Sequence, residues 1–254
     1  MLTRFFTLII VIKDPDSKDL ARCLSSILEQ DYDDYEVIII DGSSNPLSIR
    51  LCKDKIRYFH SNTEYNGIYK SWNAGIKKSL GDWILFVGHD DFLLNNNVLS
   101  RLNEMMNGLS LTVDFISTSV IKGDPNAYLS GDIKDTFEKS YKYGVRELPP
   151  YPGLLHSRKI FNKFGLFDEE LRFSSDLKFF FQARSNSSTL LSIPIKTIFF
   201  SVGGITNRCG NRVARFFEER KIDRDLGWTR TRSFIIKQFL RAVLKDSLCF
   251  WLSR

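Results

Sequence analysis

Cysteine and histidine are scarce in this chain of 254 residues, with four and three copies. Cys23, Cys52, Cys209 and Cys249 form no C-x-x-C pair, and His60, His89 and His156 form no H-E-x-x-H pattern. Spacing therefore argues against a zinc hydrolase and a disulfide scaffold, and reduced thiols are expected. The G-x-x-x-x-G-K-[ST] phosphate loop, the G-x-G-x-x-G dinucleotide loop and the G-x-S-x-G nucleophile elbow are all missing. No apolar run approaches the roughly 20 residues of a membrane span. The run at 5–12 ends in Lys13-Asp14-Pro15-Asp16 without a small-residue cleavage site. It reads as a buried strand rather than a signal peptide. Internal repeats and low-complexity segments are absent too.

What is present is ordinary for a globular protein: 43% hydrophobic and 26% charged residues. That composition excludes disorder and collagen-like structure. The length suits one or two domains with a full core. The net charge of +6 permits an anionic partner without demanding one.

Strand and helix patterns alternate through the first half. Residues 5–12, 35–40, 55–59 and 83–87 read as strands. Residues 19–30, 68–80 and 98–106 carry helical periodicity. Alternation of this kind predicts right-handed βαβ units and a parallel sheet, whose ligands bind at the carboxyl ends of the strands. After Gly108 the rhythm changes. Residues 113–120 and 127–129 read as strands, 148–153 as a rigid loop, 154–164 and 176–184 as helices, and 190–198 as a strand. From Arg208 onward the chain is basic and helical.

Two acidic turns sit at predicted strand ends. Asp90-Asp91 follows Trp83-Ile84-Leu85-Phe86-Val87. Adjacent carboxylates repel and need a positive partner, which a hard divalent ion on a diphosphate would supply. The alternative role is at the N-terminus of the following helix. Asp41 ends the second strand and can accept from a base or ribose, or simply close an Asp-Gly turn. Asp176 opens a predicted helix, where it suits a general base or a first-turn acid. His89 stands beside the acidic pair, within reach of phosphate or solvent.

Five segments in order resemble the family 2 glycosyltransferases, whose fold is GT-A. They are Leu8-Ile9-Ile10-Val11 with Ser25-Ser26-Ile27-Leu28-Glu29-Gln30, and Glu36-Val37-Ile38-Ile39-Ile40-Asp41-Gly42-Ser43-Ser44. Gly67-Ile68-Tyr69 with Asn73-Ala74-Gly75-Ile76 follows. Then come Gly88-His89-Asp90-Asp91, and Gly165-Leu166-Phe167-Asp168-Glu169 with Ser175-Asp176. The likeness covers residues 5–207. The chain departs from the family pattern at Pro46, at Val11-Ile12-Lys13-Asp14, at Lys70 and at Tyr151, which leaves nucleotide and sugar open.

The resemblance implies an α/β fold of the GT-A type: a Rossmann-like, mixed, mainly parallel sheet flanked by helices. It implies a glycosyltransferase domain over 1–207, with a nucleotide-sugar half at 1–110 and an acceptor half at 111–207. A basic helical extension occupies 208–254. Asp41 would meet the nucleotide base, Asp90 the ribose or metal shell, and Asp91 a Mn²⁺ or Mg²⁺ ion on the donor diphosphate. Asp176 would be the catalytic base of an inverting single displacement. The donor would be a nucleotide sugar, with UDP favoured. The acceptor would be a glycan or lipid-linked, as in bacterial O-antigen or capsule synthesis. A catalytically inactive nucleotide- or glycan-binding module is the alternative. A sugar-nucleotide pyrophosphorylase is disfavoured by the missing Gly-rich loop, and no nucleic-acid partner is expected.

Residues 229–254 alternate Phe234, Ile235, Leu240, Val243, Leu244, Phe250, Trp251 and Leu252 with Arg230, Arg232, Lys237, Arg241 and Lys245. Such a pattern suits an interfacial helix on an anionic membrane, or a helix packed on the domain. The expected location is cytoplasmic, peripheral at the cytoplasmic face of the inner membrane.

Overall fold

The computed structural model describes residues 6–47, 54–107, 113–131, 137–139, 148–202 and 210–252. Strands β1 (Phe6–Ile12), β2 (Tyr35–Asp41), β3 (Ile56–His60) and β4 (Trp83–Gly88) alternate with helices α1 (Ser17–Leu28) and α2 (Ile68–Lys78). They pair in parallel, as the alternation predicts, and their order is β3-β2-β1-β4. Both faces of this half are covered, which is why β1 and β2 read as unbroken Ile/Val/Leu runs. On one face Leu8, Ile10, Val37 and Ile39 meet Leu20, Leu24 and Ile27 of α1. Leu99, Leu102 and Met106 of α3 (Val98–Met106) join the same cluster. On the other face Ile9, Ile38 and Ile40 meet Tyr69 and Ile76 of α2. Helix α2 sits close because residue 75 is glycine: a Cβ there would stand 2.7 Å from Ile9 Cγ2.

The second half continues the same sheet. It comprises β5 (Phe92–Leu93), β6 (Phe115–Gly123), α4 (Pro125–Leu129), β7 (Phe137–Lys139), β8 (Leu154–Ser157), α5 (Arg158–Phe164), α6 (Ser175–Ser185) and β9 (Leu190–Ser201). The order runs on from β4 as β8-β6-β9-β5, with β7 on β6. Strand β8 is antiparallel to both neighbours, while β6 and β9 are parallel. The sheet is thus mixed, with its parallel half carrying the acidic turns. Helices α7 (Asn211–Asp225) and α8 (Arg232–Leu252) close the chain.

Three sequence expectations change. Residues 127–129 belong to helix α4 rather than a strand, because Asp124 caps Asn126 N and Ala127 N and Pro125 starts the helix. Residues 154–164 split into strand β8 and the short helix α5, since the sheet recruits Leu154 and Leu155 as partners for Ser117, Ile116 and Leu85. Cys249 is disulfide-bonded, against the expectation of reduced thiols. Cysteine spacing carries no signal of this bond. Cys23 is a buried free thiol, and Cys52, Cys209 and the Gly203-Gly204 turn lie outside the described residues.

Several motif residues turn out to be structural. Gln30 donates to Asn95 O at 2.6 Å and accepts from Leu99 N at 3.0 Å, joining α1 to the start of α3. Glu36 accepts from Thr7 Oγ1 at 2.8 Å and pairs with Arg57 at 3.0 Å. Its carboxylate is buried but satisfied, as a buried charge must be.

Candidate active site

Parallel topology decides where the acids meet. Strands β2 and β4 flank β1, with Asp41 opposite Ile12 and Gly88 opposite Val11. The carboxyl ends of β2 and β4 therefore lie about 10 Å apart along one edge, two strand spacings.

Asp41 is fully buried, and its oxygens are already engaged. Oδ1 accepts from Ser43 N at 2.8 Å, and Oδ2 accepts from Tyr58 Oη and, at 3.4 Å, from Leu47 N. Burial would raise this carboxyl, but the bonds from Ser43 and Tyr58 outweigh it and hold it below the usual range. Tyr58 is pushed up to about 12 by burial and by Asp41. The Asp41 side chain thus shapes the turn after β2 first of all, with His60 Nε2 2.9 Å from Ser43 O beneath it.

Asp91 is 3% exposed. Its Oδ2 accepts from Gly88 N at 3.1 Å and its Oδ1 from Ser201 N at 2.9 Å. Ser201, at the end of β9, also donates through Oγ to Asp90 O at 2.6 Å. Arg22 of α1 reaches the same carbonyl at 3.2 Å. Burial first, and the Asp90 charge second, push the Asp91 carboxyl up to about 8. The backbone N–H groups and Arg22 offset only part of this. A Cβ on Gly88 would lie 2.6 Å from Asp91 Oδ2 and 2.9 Å from Asp90 Oδ1. The two carboxylates thus converge over a glycine, and only glycine leaves them that space.

That convergence answers whether the residues suit a divalent ion. Two hard, negatively charged oxygen ligands lie side by side, one buried with no full counter-charge. No group of three or more His, Cys, Asp or Glu side chains able to hold a metal exists among the described residues. Mg²⁺-type sites are typically completed by substrate phosphates and water beside one or two carboxylates. Asp90 and Asp91 fit that pattern.

Asp176 comes from the other half of the chain, in the first turn of α6. Tyr69, in the first turn of α2, donates to Asp176 Oδ1 at 2.9 Å. Helix α2 runs back from the carboxyl edge of the sheet, so its first turn, and with it Asp176, lies at that edge. Asp176 keeps part of its surface open to solvent. Burial raises its carboxyl, opposed by the Tyr69 bond, Leu177 N and the charge of Arg215. Four residues on from Tyr69, Asn73 donates to Phe167 O and to Glu169 Oε1, both at 2.9 Å, and accepts from Phe167 N at 3.0 Å. One face of α2 therefore ties the Gly67–Ile76 segment to the Gly165–Glu169 segment and to Asp176.

An aromatic layer supports this wall. Trp72 stacks on Tyr151 at 5.1 Å and packs on Phe86 at 4.6 Å. His156 is fully buried among Phe86, Phe115, Tyr151 and Phe161, and burial drops it to about 3. It is a neutral core residue. His89 remains half-buried beside Asp90. A cleft of about 380 Å³, lined by Glu64, Tyr65, Lys70, Lys77, Lys78 and Glu169 among others, lies along α2, and none of the four acids lines it.

Sequence reading missed Ser201, Tyr58 and Tyr69 as partners of the acids. Tyr69 alone had a signal, since it lies inside the Gly67–Ile76 segment that carries the resemblance.

The glycosyl transferase family 2 pattern matches residues 7–167. A PGL/p-HBAD biosynthesis glycosyltransferase of Mycobacterium bovis is 24% identical over 196 residues, 74% of each chain. An uncharacterized glycosyltransferase of Rickettsia bellii is 38% identical over 89 residues, 33% of this chain. The chain spans only 13% of that relative's length, and 29% of a similar one from Rickettsia felis. Among solved structures, S. aureus TarS in complex with UDP-GlcNAc superposes with a TM-score of 0.67 at 18% identity. The match covers 95% of this chain and 72% of that one. The mannosyltransferase PcManGT of Pyrobaculum calidifontis, in complex with GDP-Man and Mn²⁺, gives 0.63 at 13% identity, covering 94% and 69%. These two share the GT-A fold with the chain. With the family pattern spanning both acidic turns, the chain belongs to glycosyl transferase family 2.

Proposed function

We propose that the protein is an inverting, metal-dependent glycosyltransferase that uses a UDP-sugar. One observation carries the reading: Asp176, a half-buried residue, is hydrogen-bonded to Tyr69 at the sheet edge where Asp41 ends β2 and Asp90 and Asp91 follow β4. A half-buried acid whose proton affinity is raised by burial suits a general base. Asp176 takes the proton from an acceptor hydroxyl, whose oxygen bonds to the anomeric carbon as the bond to the diphosphate breaks. Asp41 and its turn border the nucleotide base, and Asp90 lies toward the ribose. A divalent ion held by Asp91 and Asp90 would supply charge neutralisation for the departing diphosphate.

The acceptor in this reading is a glycan or a lipid-linked sugar of bacterial surface-polysaccharide synthesis. No described helix is long and apolar enough to cross a membrane. Helix α8 exposes Ile236, Leu240, Leu244 and Leu248 in one stripe, each followed by a residue of the next stripe that includes Lys237, Arg241 and Lys245. An apolar stripe beside a basic one supports peripheral docking on an anionic leaflet, such as the cytoplasmic face of the inner membrane.

The test is a thermal shift against UDP, GDP, CDP and dTDP with and without Mn²⁺, followed by hydrolysis of UDP-GlcNAc, UDP-glucose, UDP-galactose and GDP-mannose. A metal-dependent rise in Tm with UDP, and turnover of one UDP-sugar, are expected. A metal-dependent shift without turnover of any sugar would indicate a binding module instead.

A further inference from the structure

Helix α7 reaches back onto the segment that delivers Asp176. The loop before α6 passes through Arg172 and Phe173, and both backbone N–H groups end on one side chain. Arg172 N donates to Glu218 Oε1 at 2.7 Å, and Phe173 N donates to Glu218 Oε2 at 2.8 Å. Each carboxylate oxygen takes one donor, so the loop is held in two directions at once. Charge-assisted bonds of this kind are stronger than neutral ones.

Other contacts keep α7 in place. Lys221 Nζ stands 3.7 Å from Glu170 Oε2, and Asp225 Oδ2 3.6 Å from Lys178 Nζ. Trp228 meets Phe181 of α6 edge-on at 4.8 Å. At the other end, Asp246 of α8 accepts from Val213 N and Arg212 Nη1, both at 3.1 Å, closing the first turn of α7. Arg215, one turn before Glu218, adds positive charge near Asp176 while bonding Glu219 at 2.8 Å.

We infer that Glu218 is a positioning residue for the reaction: by fixing the Arg172–Phe173 backbone, it sets where the Asp176 carboxylate stands against the acceptor hydroxyl. The inference rests on the reading of Asp176 as base. Tyr69 tethers the carboxylate itself, and Glu218 tethers the chain three residues upstream. With the upstream tether gone, the first turn of α6 can shift while the donor-side acids stay in place. A misplacement of about 1 Å can cost about 100-fold in rate.

The test uses the full chain and the sugar hydrolysed fastest among UDP-GlcNAc, UDP-glucose, UDP-galactose and GDP-mannose. Glu218→Gln keeps one accepting oxygen and turns an amide N–H toward the second backbone donor. Its kcat should fall about 10- to 100-fold. Donor KM, and UDP binding with Mn²⁺ by calorimetry, should stay within about twofold, the change expected when only a transition-state contact is lost. Glu218→Ala, the second variant, should behave alike. In an Asp176→Asn background, Glu218→Gln should bring no further loss, because both act on one step. The inference fails alone if Asp176→Asn is inactive while both Glu218 variants keep wild-type kcat. It also fails alone if their losses add to that of Asp176→Asn, or if donor affinity falls as far as kcat. Wild-type turnover in Asp176→Asn overturns the base assignment and the inference together.

Discussion

Tyr69 Oη donates to Asp176 Oδ1 across 107 residues of sequence. The bond joins the first turns of two helices from different halves of the chain. Tyr69 is itself buried, and burial together with Asp176 pushes its phenol well above its ordinary range. It is therefore a neutral, committed donor at any physiological pH.

Tyr69→Phe removes that donor and keeps the ring. The bond lowers the proton affinity of Asp176, which burial raises. Its loss moves the Asp176 carboxyl further up, and the base works only when ionised. The acid limb of the kcat–pH profile should therefore shift to higher pH, with stability reduced by about 1 kcal/mol. An unshifted limb would show that the phenol does not tune the base.

Asp176→Asn should abolish transfer and leave nucleotide-diphosphate binding intact. Positioned proton transfer is worth roughly 10²–10⁴ in rate. Asn is nearly isosteric with Asp and keeps an oxygen to accept from Tyr69, so the variant should fold. Near-native kcat would remove Asp176 as base and bring forward Asp168 or Glu169.

Asp91→Asn should lose most Mn²⁺- or Mg²⁺-dependent activity while staying folded. The metal-free protein adds a pH test. The folded carboxyl sits at about 8, and an unfolded Asp at about 3.9. Between those values the folded state binds the extra proton, so stability falls as pH rises through the window. Asp91→Asn should flatten that fall, measured as Tm against pH in the presence of a chelator. Unchanged turnover at limiting Mn²⁺ would contradict the metal role.

Replacing Ile236, Leu240, Leu244 and Leu248 together by Gln should release the protein from anionic liposomes. Wild-type binding should weaken at high salt, since the neighbouring lysines and arginine act through screened charge. The Asp246 contact to α7 is untouched by this variant, so donor binding should persist. Equal cosedimentation of the variant and the wild type would argue that the stripe is not the docking face.

The parallel half of the fold was legible in the sequence because its signals are local. Continuous apolar runs mark strands covered on both faces, and polar turns mark their ends. The strands at 35–40 and 83–87 and the helix at 98–106 fall where the periodicity places them, within a residue at their ends. The positions of Asp41, Asp90 and Asp91 at strand ends follow from the same reading. The short strand β8 was not legible, because Leu154 and Leu155 enter the sheet only through partners far along the chain. Strand-end placement did not say which groups would surround Asp41 and Asp91. Tertiary structure decided that Asp41 is locked by Ser43 and Tyr58, and that Asp91 is buried against Ser201 and converges with Asp90 over Gly88. It likewise decided that Tyr69 bonds Asp176, that Asn73 bonds Phe167 and that Glu218 bonds the loop before α6. A local pattern records which residues a helix or strand presents, but the charge state and aim of a carboxylate depend on groups that folding brings beside it.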